Sequence, residues 1–230
     1  MTGVNDLERF AEAIGPPPDE ILIEMDDRAR ATEFPTVGPA VGGWLRQLAG
    51  LVAADRVFEF GSGFGYSAYW FLTGMGDDGE IVLTEIDADE LAAARHYLDR
   101  GGYADNAQFE LGDAIETVES HDGPFDIALI DNEKHRYVDA FEAIRDEIPI
   151  GGVIVADNAM KGPFGFETIQ KLWAESIDEF HSEDTDEFHD QHVDAACGIA
   201  AYLDHIKDRD EFETTLLPLG EGLTVSRKVR

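Results

Sequence analysis

The sequence of 230 residues predicts an α/β fold, a doubly wound and mostly parallel sheet with helices on its faces. From Arg56 onward, short apolar runs suited to strands alternate with stretches whose apolar residues recur at helical spacing. Gly and Asp gather at the junctions, as in Gly74-Met75-Gly76-Asp77-Asp78-Gly79. The chain then ends in two strand-like runs about a Gly-rich turn, which reads as a hairpin closing the sheet.

Before the alternation begins, the first fifteen residues read as irregular. Pro16-Pro17-Pro18-Asp19 offers a helix start, and Ile21, Leu22, Met25 and Ala29 follow it at helical spacing. Val41, Trp44, Leu45, Leu48 and Val52 mark a second amphipathic helix, so residues 1–52 read as a helical cap. Residues 53–230 read as the core of the same single domain. Strands are expected at Val57 to Phe60, Ile81 to Thr84, Gln108 to Leu111, Phe125 to Ile130 and Val153 to Ala156. Helical stretches lie between them near Tyr66 to Leu72, Glu90 to Arg100, Ile115 to Val118 and Val138 to Glu147. In the tail, a helix near Ala195 to Ile206 precedes strands at Phe212 to Leu217 and Leu223 to Ser226. The pattern totals seven strands, with the last two antiparallel.

Composition narrows the function. Acids outnumber Lys plus Arg by 49 to 17, a formal net charge of −32. Such self-repulsion destabilises a compact domain in dilute buffer but is damped where the Debye length falls to ~3 Å near molar salt, which predicts a halophile's cytoplasmic protein. The same balance argues against nucleic acid as a partner, because phosphate binding needs basic residues. No run approaches ~18 apolar residues, and the start MTGVNDLERF has neither a basic segment nor an apolar core, so neither membrane insertion nor export is expected. The single Cys197 excludes an intramolecular disulfide and reads as a small buried residue. The acidic stretch Glu179 to Asp190, with His181, His189 and His192 in and beside it, reads as a solvated loop in preference to a second metal site.

The first strand runs into Glu59-Phe60-Gly61-Ser62-Gly63-Phe64-Gly65-Tyr66-Ser67, where glycines permit a sharp turn and close approach to a ligand. A dinucleotide fingerprint places its third glycine one position later, and Glu59 would repel a pyrophosphate while attracting an ammonium. A nicotinamide-dependent oxidoreductase is therefore the weaker alternative. The second strand ends in Thr84-Glu85-Ile86-Asp87, where Glu85 is placed to accept from ribose hydroxyls and Asp87 to cap the next helix. Asp113, after the third strand, suits either an adenine flank or an ordinary helix cap.

Two further strands end in acids, in IALIDNEK (127–134) and VIVADN (153–158). As parallel neighbours they would bring Asp131, Lys134, Asp157 and Asn158 to one sheet edge. Hard oxygen donors with an amine one turn away suit a divalent cation that holds a hydroxyl while a base takes its proton. Helix capping is the competing reading of both aspartates.

Taken together, Phe34-Pro35-Thr36-Val37-Gly38, Glu59 through Ser67, the DxxKxxY spacing of Asp131, Lys134 and Tyr137, the Asp157-Asn158 pair and Leu217-Pro218-Leu219-Gly220-Glu221-Gly222-Leu223 resemble the cation-dependent S-adenosylmethionine O-methyltransferases of the catechol and caffeoyl-CoA type. The resemblance implies a Rossmann-like class I methyltransferase fold and methyl transfer to a hydroxyl of a small aromatic, catechol-like molecule. It also implies that Glu59 and Ser67 hold the methionine part of the cofactor with backbone at Val37 and Gly61, and that Glu85 binds the ribose. Ala114 and Asp113 would lie along the adenine, and Ser62, Gly63, Ile86 and Asp131 would complete the cofactor set. Asp131, Asp157 and Asn158 would coordinate Mg²⁺ or a similar ion, and Lys134 would be the general base. Some relatives methylate a CoA thioester or a modified tRNA base, which stays an alternative. The family's N-terminal helices often cover the acceptor and contribute to a homodimer, so Phe10 to Arg30 either does so or simply packs on the sheet. The resemblance is poorest from Ala159 to Asp194, so the acceptor cannot be read from it.

Overall fold

Runs of four to six residues, wholly apolar only in the central fourth and fifth, form the strands β1 (Arg56–Phe60), β2 (Glu80–Glu85), β3 (Ala107–Leu111), β4 (Ile127–Ile130), β5 (Val153–Ala156), β6 (Phe212–Leu217) and β7 (Leu223–Lys228). In the computed structural model, which describes residues 4–161, 165–174 and 191–230, they make one sheet in the order β3-β2-β1-β4-β5-β7-β6. The first five are parallel, while β7 runs antiparallel to β5 and β6 antiparallel to β7, as the sequence predicts. The order reverses between β1 and β4, and the crevice outside the strand ends at such a switch point is where open α/β sheets bind ligands.

Register positions the chemistry. Phe60 pairs with Ile130 and Ile130 with Ala156, so the residues that follow these strands leave the sheet side by side. Alternation along each strand divides the core. Val57, Leu83, Leu129 and Val155 face a cluster formed with helices α2 (Glu20–Thr32), α3 (Gly38–Val52), α4 (Tyr66–Leu72) and α5 (Ala88–Arg100). Phe58, Phe60, Ile130 and Ala156 face the other cluster, with α6 (Ala114–Val118), α7 (Tyr137–Ile144), α8 (Phe166–Ala174) and α9 (Gln191–Lys207).

Asp19 caps α2 by accepting from the backbone of Ile21 and Leu22 at 3.0 and 2.8 Å, and Asp87 caps α5 as expected. The expected irregular start is corrected: Val4–Ile14 is a helix, α1. Leu7, Phe10, Ala11 and Ile14 have the spacing of one helical face, and Leu7, Phe10 and Ile14 stay exposed. The fourth strand begins at Ile127 and not at Phe125, because the Asp126 carboxylate turns back to accept from the backbone of Asp55 and Arg56. The seventh helix ends at Ile144, three residues before the expected Glu147. Cys197 is half-buried against the second cluster. Among the described residues no helix is long and apolar enough to cross a membrane. The stretch from Glu179 to Asp190, with His181 and His189, lies outside the described residues, as does the side chain of His192.

Candidate active site

The carboxyl ends of the strands open into a cavity of about 720 Å³. Its floor is the turn after β1. Ser62 donates its backbone N–H to Thr84 O at 2.9 Å, and the Thr84 hydroxyl donates to Glu59 O at 2.6 Å, which staples this turn to the end of β2. Gly61 has φ +83°, and a Cβ there would lie 2.9 Å from the backbone oxygen of Asp131. Only glycine lets the turns after β1 and β4 meet this closely.

Glu59 does not line the cavity; it sits beneath the floor, wholly buried, and neither carboxylate oxygen has a hydrogen-bond partner. Burial pushes its pKa up to about 8, the Ser67 hydroxyl opposes the shift, and the Asp131 charge adds to it. A buried carboxylate without partners is costly unless a donor or cation reaches it. Ser67, buried at the start of α4, borders the cavity above it.

Glu85 lies at the wall, but its carboxylate is already engaged. One oxygen accepts from Gly63 N at 2.8 Å, and the other accepts from Ile86 N at 2.8 Å and Asp87 N at 3.0 Å. The two oxygens offer about four lone-pair sites, so capacity for a ligand hydroxyl remains. Asp113 proves to be the helix cap that the sequence left open: it accepts from Ile115 N at 2.8 Å and pairs with Arg136. The hydrogen bond from Arg136 holds its carboxyl below the usual range. It still borders the cavity, as do Val37, Ser62, Gly63, Ala114 and the exposed Ile86. His135 is exposed and does not line it.

On the opposite side, the turns after β4 and β5 bring Asp131, Lys134, Asp157 and Asn158 into the same wall. Lys134 Nζ donates to Asp131 Oδ1 and to Tyr137 Oη, both at 2.7 Å, and Tyr137 Oη donates to the backbone oxygen of Asp157 at 3.2 Å. Tyr137 is wholly buried; burial, then the charges of Asp131 and Asp157, raise its pKa well above the ordinary value. Asp157 is nearly buried and its Oδ1 has no partner, so desolvation and then the Asp131 charge push its pKa upward. Asn158 adopts φ +56°, a left-handed conformation that Asn tolerates, and its Nδ2 donates to Glu221 Oε2 at 2.6 Å. That bond uses the amide nitrogen and leaves the oxygen as a donor for a cation. Among the described residues no three His, Cys, Asp or Glu side chains form a metal cluster. The donor set is two carboxylates and an amide, all hard oxygens, and the unpartnered Oδ1 of Asp157 fits a hard cation.

Of this set, Tyr137, Arg136 and Glu221 were given no part by the sequence reading. Tyr137 had a signal, since DxxKxxY places it on the same turn as Lys134; the contacts of Arg136 and Glu221 join residues 23 and 63 positions apart.

A family model described as O-methyltransferase matches residues 19–229. The chain belongs to this family. A catechol O-methyltransferase of Mycobacterium tuberculosis is 31% identical over 160 residues, 68% of this chain and 73% of that protein. A second protein of that description, from Niastella koreensis, is 33% identical over 62% of this chain and 67% of its own length. Among solved structures, the O-methyltransferase from Bacillus cereus in complex with SAH superposes with a TM-score of 0.78 at 22% identity, covering 96% of each chain. Cofactor-bound Rv0187 from MTB reaches 0.80 at 25% identity, over 99% of this chain and 98% of that one. Membership of the O-methyltransferase family sets the nicotinamide-dependent alternative aside, and the chain shares its fold with these structures.

Proposed function

We propose that this O-methyltransferase transfers the methyl group of S-adenosylmethionine to a hydroxyl of a small, catechol-like aromatic, with a divalent cation at Asp131, Asp157 and Asn158 and with Lys134 as general base. The observation that carries the reading is the Lys134 amine, held at 2.7 Å from both Asp131 and Tyr137 beside the unpartnered Oδ1 of Asp157. A bound sulfonium donor supplies an activated methyl group, and a bound dication lowers the pKa of a neighbouring hydroxyl and fixes its place. Lys134 takes the hydroxyl proton at Nζ, and Asp131 Oδ1 and Tyr137 Oη both accept from the ammonium that results. Glu59, with no partner of its own, attracts the cofactor's ammonium, and Ser67 assists above it. Glu85 holds the ribose hydroxyls with its remaining lone pairs, while Val37, Gly61, Ser62, Gly63, Ile86 and Ala114 shape the cofactor's walls, with the capped Asp113 at the adenine end.

Charge supports a phenol over a CoA thioester or tRNA. Seven carboxylates line the cavity against two cationic side chains, and both cations, Lys134 and Arg136, already pair with lining aspartates. Phosphates entering there meet no free positive charge among the described lining residues. The overall charge further suits activity at high salt, as expected of a halophile's enzyme.

The test is radiolabelled methyl transfer to catechol in molar KCl with Mg²⁺. Turnover that persists unchanged in EDTA would refute the cation's role. Asp157→Ala is expected to abolish Mg²⁺-stimulated turnover, a loss of about 10²-fold or more, while SAH affinity measured by calorimetry stays within about twofold. Glu85→Ala is expected to do the reverse, weakening SAH binding by about 10- to 100-fold through lost charge-assisted hydrogen bonds and leaving Mg²⁺ affinity as it was. Equal SAH affinity in the variant and the wild type removes Glu85 from the cofactor site.

A further inference from the structure

Gly198 sits in the interior of α9, a helix of 17 residues, where glycine weakens the helix relative to alanine. Its place has a packing reason. A Cβ at this position would overlap the carbonyl oxygen of Lys134 and would lie 2.5 Å from His135 Cα and 2.6 Å from the Lys134 carbonyl carbon. All three are backbone atoms, so no side-chain rotation relieves the contact. Four residues on, the buried ring of Tyr202 meets that of Tyr137 in a T-shaped contact, with centroids 5.6 Å apart at 87°, and its hydroxyl lies 3.3 Å from that of Thr224 on β7. Positions i and i+4 share one helix face. That face therefore abuts the backbone of the turn carrying Lys134 and the ring of Tyr137, whose hydroxyl accepts from the Lys134 amine.

We propose that Gly198 is a positioning residue: its missing side chain sets how deeply the 134–136 turn seats, and so where the Lys134 amine stands against Asp131 and Tyr137. The inference rests on Lys134 acting as the base described above. Alanine at 198 drives the turn off α9, toward the cavity, and carries Nζ away from its two acceptors.

Crystal structures of the wild type and of Gly198→Ala test the placement without turnover. Lys134 Nζ should withdraw from Asp131 Oδ1 and Tyr137 Oη, beyond the ~3.5 Å reach of a hydrogen bond. If α9 shifts instead and both contacts keep their wild-type lengths, the proposal is overturned. With catechol, S-adenosylmethionine and Mg²⁺ in molar KCl, kcat should fall about tenfold or more while the SAH Kd changes less than about twofold. In a Lys134→Ala background the same substitution should cause no further loss. An equal loss in both backgrounds overturns the proposal, whereas full activity in Lys134→Ala alone sinks the base assignment and leaves the crystal structures to judge the placement. Ala200→Gly, at a buried site on the same helix, should lower Tm with kcat unchanged. A fall in kcat there to match Gly198→Ala would mean that helix stability explains the effect. Should Gly198→Ala fail to fold, Tyr202→Leu decides: the 134–136 turn is expected to reseat and Lys134 Nζ to withdraw from Asp131 Oδ1, and a wild-type distance between those two atoms refutes the idea.

Discussion

Lys134→Ala is expected to lower kcat for catechol methylation by about 10²- to 10⁴-fold, the range that a positioned general base contributes, with SAH affinity unchanged. The separation follows from the geometry. Lys134 bonds Asp131 and Tyr137 on the side of the cavity that faces the β5 turn, whereas Glu59 and Glu85 lie at the ends of β1 and β2. Lys134→Arg distinguishes base from charge, because it restores a cation beside Asp131 but a guanidinium does not lose its proton in a protein and so cannot accept one. Arginine should therefore leave kcat nearly as low as alanine does. A fall of less than about threefold in Lys134→Ala, measured under saturating cofactor, would remove Lys134 from the chemistry.

Cofactor affinity is expected to rise with pH and level off near 8, and Glu59 is the reason. Burial pushes its pKa up to about 8 in the ligand-free protein, whereas an unfolded chain returns it to ~4.3. Between those values the unfolded state is ionised and the folded state keeps the proton, so folding binds a proton. The contribution of Glu59 to stability is thus most favourable below the unfolded pKa and is lost as pH climbs toward 8. Binding an ammonium favours the ionised carboxylate, so SAH should release close to one proton from the protein near pH 6 to 7. Calorimetry in buffers of different ionisation enthalpy reads that release directly. Glu59→Gln should abolish the pH dependence, reduce SAH affinity by about tenfold or more, and flatten the loss of Tm between pH 5 and 8. A wild-type affinity that does not change with pH would exclude an ammonium partner for Glu59.

Local pattern carried the architecture. The apolar runs at Val57, Ile81, Ile127 and Val153 are strands in the expected order, and the Gly-rich turn after Phe60 does approach a second turn closely enough to require Gly61. The adjacency of Asp131 and Asp157 was also legible, because two runs ending in acids become neighbours once β4 and β5 pair in register. The first helix was missed although Leu7, Phe10, Ala11 and Ile14 recur at helical spacing, and three of these four side chains stay exposed in the structure.

What the sequence by itself determined is the period of each element, the turn chemistry at the strand ends and the kinds of side chain placed there. These are properties of near neighbours along the chain. Only the tertiary structure decided which partner each polar group took: Glu85 on three backbone N–H groups, Asp113 on Arg136 and its own helix, Asn158 on Glu221, and Glu59 on none. It alone decided, too, that Gly198 would meet the turn of Lys134, 64 positions earlier. Hydrogen-bond choice and close packing depend on the distance between elements far apart in the chain, and spacing along the chain does not encode that distance.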